Sequence, residues 1–189
     1  MTRALLAVDV QNDFTEGGAL GVIGGSAVAI GIAARLETSS YALVVASRDW
    51  HEADGSNGGH FAAPGVDPDF ITTWPVHCVQ ESDGADFHPA MPLDRIDVHV
   101  RKGMGEPAYS AFEGRTTDGR GLAEVLRADG IETIDIAGIA TDYCVQASAL
   151  DAVAAGFEVR VLTDLIAGVA RESSAAALRE LAEAGVEFV

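Results

Sequence analysis

The chain has 189 residues, of which 48% are hydrophobic and 22% charged, the balance of one folded domain rather than a disordered segment. Its 29 acidic residues against 12 basic ones give a formal net charge of -17, which repels nucleic acid and anionic lipid and leaves small molecules as the expected partners. With two cysteines and no apolar run of membrane-spanning length, neither a disulfide framework nor a membrane anchor is expected.

Taken in chain order, strand-like apolar runs at 4–9, 42–47, 97–101, 133–137, 158–162 and 186–189 alternate with helical patterns at 26–38, 121–129, 142–155 and 172–184. That alternation predicts an α/β fold: three layers, with a central, mostly parallel sheet of about six strands between helices, formed by residues 1–189 as one domain. The chain runs into its first strand pattern with no secretory leader in view, so a cytoplasmic location is expected. Ser26 is the predicted cap of the first helix and Gly156 the predicted stop of the third, because a small polar acceptor and a permissive φ suit those ends. Residues 50–92 carry no sustained period and are rich in Gly, Pro and Asp, and an irregular stretch of that length is usually functional.

Open α/β sheets bind ligands beyond the carboxyl ends of their strands. Asp9, Asp49, Lys102 and Cys144 all map to that edge. Lys102 is the one lysine in the chain. Cys144 falls near the first turn of a helix, where free amides favour a thiolate. Asp9 follows five apolar residues and needs a partner if buried, which an ammonium at Lys102 would supply. Together the three offer a nucleophile, a carboxylate to carry its proton, and a cation to keep the sulfur ionised. A second group, Asp49, His51, His60 and His77, provides one carboxylate and three imidazoles in the irregular segment at 49–92, sufficient for one divalent transition metal such as Zn, Fe or Mn. His88 and His99 have no partner pattern and read as structural, and Cys78 reads as packing beside His77.

The strings VDVQNDF, SRDWH, WPVHC, RKG, AYSAFEG and GIATDYCV, in this order across nearly the whole chain, resemble the nicotinamidase/pyrazinamidase branch of the isochorismatase-like cysteine hydrolases. The resemblance implies hydrolysis of nicotinamide to nicotinate and ammonia, with Asp9, Lys102 and Cys144 as the catalytic triad. It implies metal ligation by Asp49, His51 and His77, with His60 as a further ligand. It also implies a cis peptide at Ile139-Ala140, an oxyanion hole from the amides of Ala140 and Cys144, and an aromatic slot from Phe14, Trp74 and Tyr109, with Ile139 beside it. Ala111 and Tyr143 depart from the common pattern and leave pocket size and preference among pyridine-like carboxamides open. The rival readings are a metal-free hydrolase of a carbamoyl or ureido compound, a vinyl-ether hydrolase, and a non-catalytic binding protein. Whether the chain is a monomer or a homo-oligomer is not specified by these features.

Overall fold

In the computed structural model, which describes residues 2–189, seven strands form one sheet in the order β4-β3-β2-β1-β5-β6-β7. These are β1 (Arg3–Val8), β2 (Leu43–Asp49), β3 (Val98–Lys102), β4 (Arg115–Thr116), β5 (Thr133–Ile139), β6 (Glu158–Ala167) and β7 (Glu187–Phe188). All neighbours run parallel except β3 and β4. The helices are α1 (Gly25–Thr38), α2 (Leu122–Ala128), α3 (Gln146–Ala154) and α4 (Arg171–Glu183). The three-layer α/β reading holds. The added strand, β4, is a two-residue antiparallel edge, too short to show an alternating pattern.

Period-2 alternation along the strands separates two cores. Leu5, Ala7, Val44 and Ala46 face Val28, Ala29, Ile32 and Leu36 of α1. Ala4, Leu6, Val8, Val45, Ile134 and Ile136 face α2, α3 and α4 through residues such as Leu126, Ala149 and Leu181. Strands added after β1 first move to one side, through β2 and β3, and then cross back to β5. Strand order therefore reverses between β1 and β5, the crevice where open α/β sheets bind ligands.

Helix ends show which signals were local. Gly156 follows α3 with φ 90, its amide donates to Val153 O at 2.9 Å, and the Phe157 amide reaches back to Ala152 O at 3.1 Å, the paired bonds of a Schellman stop. The same bond pattern at Gly130 and Gly185 ends α2 and α4. Ser26, by contrast, is not the cap of α1. The helix starts at Gly25 after Gly24, and Glu16 from the preceding loop accepts from the amides of Gly24 (2.7 Å) and Ser26 (2.9 Å). A distant carboxylate does the capping, so no cap residue was needed at the helix start. β6 runs five residues beyond its predicted end, to Ala167, past a register irregularity opposite Ile136 and Gly138. Among the described residues, no helix is long and apolar enough to cross a membrane.

Candidate active site and metal centre

Asp9 immediately follows β1 in a left-handed conformation (φ 50), Asp49 ends β2, and Lys102 ends β3. Cys144 sits in a single π-turn, Thr141–Val145, between β5 and α3. The side chains of Asp9, Asp49 and Cys144 converge on the ammonium of Lys102, which is 1% exposed. Its Nζ lies 2.9 Å from Asp9 Oδ2 and 3.7 Å from Cys144 Sγ, and it donates to Ala108 O at 3.2 Å and to Asp49 Oδ1. The other oxygen of Asp9 accepts from Ser47 Oγ at 2.7 Å.

A buried ammonium with two carboxylates is stable only as an ion. Burial pulls the Lys102 pKa down, but Asp49 and Asp9 more than offset it and hold it well above the ordinary lysine value. Burial likewise would raise Asp49, yet the positive charge of Lys102 keeps it well below the carboxylate range. Asp9 goes the other way: burial lifts it, and the pull of Lys102 does not fully reverse the lift. The Cys144 thiol is pushed well up by burial, with Lys102 lowering it and Asp9 and Asp49 raising it. This direction runs against the sequence expectation of a resting thiolate. One ammonium already serves two carboxylates, so a third anion lacks a counter-charge, and the resting pair is a thiol beside a carboxyl group whose basicity is raised.

The imidazoles are brought together by short backbone ladders rather than by long elements. The His51 amide donates to Cys78 O at 3.0 Å and Gln80 N to His51 O at 2.8 Å, placing His51 beside the His77-Cys78 segment. Trp74 N donates to His60 O at 2.8 Å and ties His60 to the same region. Ligating nitrogens of His51, His60 and His77 lie within 4.8 Å of one another, and Asp49 Oδ2 is 3.5 Å from His51 Nε2 and 3.7 Å from His77 Nε2. Carbonyl oxygens fix two of the tautomers. Gly103 O lies 2.8 Å from His51 Nδ1 and Pro75 O lies 2.7 Å from His77 Nδ1, so each Nδ1 must carry the proton and each Nε2 keeps its lone pair. His51 Nε2 and His60 Nδ1 are buried with no hydrogen-bond partner. Burial holds the His60 pKa down to about 3, leaving its ring neutral and able to ligate. This donor set fits a borderline divalent metal. Cys78 is buried with Trp50 and Ala85, and burial raises its thiol pKa, consistent with packing. His88 Nδ1 accepts from Ala90 N at 3.1 Å, and His99 packs on Phe87, both apart from this cluster.

A cavity of about 460 Å³ joins the two groups. Cys144, Ala140, Ile139, Asp49, His60 and His77 line it, together with the predicted slot residues Phe14, Trp74 and Tyr109. Trp74 Nε1 donates to Tyr109 Oη at 3.0 Å, and Tyr143 meets Trp74 edge to face with ring centres 5.2 Å apart. Phe14 and His77 lie with ring centres at 5.5 Å. The Ile139-Ala140 peptide is cis.

Several supporting residues went unassigned in the sequence. Gln11 is fully buried, donates to Asp49 O (3.0 Å) and Ala85 O (2.9 Å), and accepts from Asp49 N (2.8 Å), bracing the metal-side carboxylate. Asp13 accepts from Cys78 N at 2.7 Å and from Ala19 N at 3.2 Å, linking the segment after His77 to the loop that lines the cavity. Both lie in the VDVQNDF string, and a polar run directly after a buried strand was the available signal.

The isochorismatase domain profile matches residues 3–189. A nicotinamidase/pyrazinamidase of Mycobacterium tuberculosis is 46% identical over 188 residues, covering 99% of this chain and 98% of that protein. Among solved structures, a pyrazinamidase of Pyrococcus horikoshii in complex with zinc superposes with a TM-score of 0.83 at 37% identity, covering 100% of this chain and 99% of that one. An L. infantum protein in complex with nicotinate superposes with a TM-score of 0.86 at 36% identity, over 100% and 92% of the two chains.

Proposed function

The chain belongs to the isochorismatase-domain family, and from that premise we propose that it is a metal-dependent amidohydrolase converting nicotinamide to nicotinate and ammonia, with pyrazinamide as a further substrate. The observation that carries this reading is one largely apolar cavity walled by the Cys144 thiol, with the Lys102 ammonium and the Asp9 carboxyl group buried behind it, and by His60 and His77 of the three-imidazole cluster. The aromatic faces of Phe14, Trp74 and Tyr109 suit a flat heteroaromatic ring.

In this mechanism Asp9 takes the proton of the Cys144 thiol as the sulfur attacks the carboxamide carbon. Its raised pKa suits it to that transfer, because burial makes it a stronger base than an exposed carboxylate. Charge gathers on the carboxamide oxygen, where the amides of Ala140 and Cys144 donate to it, and loss of one such donor typically costs about 3 kcal/mol of transition-state stabilisation. Collapse expels the amide nitrogen as ammonia with the proton held by Asp9, leaving a thioester. Asp9 then deprotonates a water that cleaves the thioester, releasing nicotinate and restoring the thiol. Lys102 orients both carboxylates and keeps a positive charge 3.7 Å from the sulfur as it becomes anionic. Asp49, His51, His60 and His77 would hold a divalent metal, which would supply Lewis acidity suited to a ring nitrogen. The product fits NAD salvage. The donor set weighs against a metal-free carbamoyl hydrolase, and the thiol-centred geometry against vinyl-ether chemistry.

Ammonia release from nicotinamide by metal-loaded protein tests the proposal. Cys144→Ala, Asp9→Asn and Lys102→Met should each lower kcat by at least about 1,000-fold while far-ultraviolet circular dichroism stays native. Absence of turnover with metal present, or wild-type turnover by Cys144→Ala, overturns it.

A further inference from the structure

Eight buried side-chain nitrogen or oxygen atoms among the described residues have no hydrogen-bond partner, two of them, Asp9 Oδ2 and Arg3 Nε, being held instead in ion pairs. Asp9 Oδ2, His51 Nε2 and His60 Nδ1 belong to the site above. Three others, Arg48 Nε, Arg101 Nε and His99 Nδ1, fall in one cluster on the reverse face of β2 and β3. Arg48 is the direct register partner of Arg101, and Arg101 of Arg115, so three arginines lie side by side across three adjacent strands. His99 precedes Arg101 by two residues and shares its face. The guanidinium carbons of Arg48 and Arg101 lie over the Trp50 ring, 4.3 and 4.4 Å from its centre. Like charges placed directly opposite on neighbouring strands are destabilising, and orphaned donors add a desolvation cost. Aromatic faces offset part of this cost, Trp50 for both guanidinium groups and Phe87 for Arg48, but carboxylates offset little. The carboxylate of Asp86 lies 3.9 Å from Arg48 with its side chain 65% exposed, and Arg101 has no ion pair among the described residues. In a protein with a net charge of -17, a cationic cluster whose one carboxylate neighbour is largely exposed calls for another explanation.

We propose that this cluster is a binding site for a phosphate group, free or carried by a small monoester. Two guanidinium forks present donors in the planar arrangement that grips phosphate oxygens, and stacking on Trp50 fixes their planes before binding. His99 flanks them, and the half-buried setting strengthens each contact relative to open solvent. The site has a direct mechanical path to the cavity. Trp50 lies between Asp49 and His51 in the chain, Arg48 precedes Asp49, and Arg101 precedes Lys102, so an anion that orders the reverse face orders the strand ends bearing the metal-side and catalytic groups. This inference does not depend on the proposed reaction.

Calorimetric titration of metal-loaded protein at constant ionic strength, with inorganic phosphate in one arm and phenyl phosphate in the other, tests it. Saturable binding of one equivalent is expected, and the tighter arm identifies the source of the phosphate. Arg48→Met and Arg101→Met keep an apolar stem over Trp50 and should each weaken binding at least about tenfold, while Arg127→Met, whose side chain stacks on Phe157, should leave it within about twofold. A Trp74→Phe protein leaves Trp50 as the lone tryptophan, and its emission should change with the same midpoint, a reading that needs no arginine variant. Failure of both probes to saturate, an unchanged Trp50 emission, or binding equally tight in both arginine variants, as expected of phosphate captured by the metal, overturns the proposal.

Discussion

Asp9 carries a conflict between folding and chemistry. Its folded pKa is raised by burial, so its contribution to stability is fully present below the unfolded value and is lost as pH rises through the folded one. At neutral pH the carboxylate is therefore a liability to the fold. Asn fits the left-handed backbone at φ 50, its amide can donate to Ser47 Oγ, and its oxygen can face Lys102. Asp9→Asn should abolish turnover yet raise the melting temperature at pH 7 by a few degrees, about 1 kcal/mol for a chain of this size. The gap should close as the pH is lowered and the wild-type carboxyl protonates; a variant less stable than wild type at pH 7 contradicts this account. Lys102→Met should behave oppositely, since it strands two buried carboxylates, and it should cost about 3–5 kcal/mol in denaturant unfolding. The identities of these residues were legible because one lysine and one strand-end aspartate stood out chemically. The resting charge on Cys144 was not, because it depends on how completely the four groups are buried together and on how many anions share one cation.

The segment between β2 and β3 shows how a site can form without regular elements. His51, His60 and His77 are aimed by two-residue ladders and by carbonyls, and Gly103 contributes one of those carbonyls directly after β3. Its φ is 74, and a Cβ there would lie 2.5 Å from His51 Cε1. Gly103→Ala should therefore turn the His51 ring and weaken zinc binding by about 10–100-fold, as loss of an orienting partner typically does. Competition with a chelating dye measures this, and unchanged affinity would show that Gly103 does not set the ring. Such a role lay within the RKG string but was unreadable there, since the contact partner is 52 residues away. The same reason explains Ser26, displaced as a cap by Glu16, and Gln11, whose bonds span 38 and 74 residues. Signals that act over a helical turn or a strand, such as the Gly156 stop and the apolar runs that became the parallel strands, were read correctly. Contacts made by loops were not.

At the scale of the whole molecule, the charge of -17 bears on product more than on substrate. A neutral carboxamide feels no net force in the field of the protein, whereas the carboxylate released from it is repelled by an acidic surface. Within the cavity Asp9, Asp49 and Lys102 leave an excess of one negative charge before any metal is counted, and burial limits screening there. Outside it, salt screens the acidic surface over a Debye length of about 10 Å at 0.1 M. Raising sodium chloride from 0.01 to 0.3 M should accordingly leave kcat/KM for nicotinamide nearly constant and tighten inhibition by nicotinate about two- to fivefold, as the outer repulsion is removed. Steady-state inhibition at several salt concentrations measures both. If nicotinate instead binds more weakly with salt, the attractive potential of the occupied metal centre governs product affinity, and the acidic surface plays no part in clearing the site.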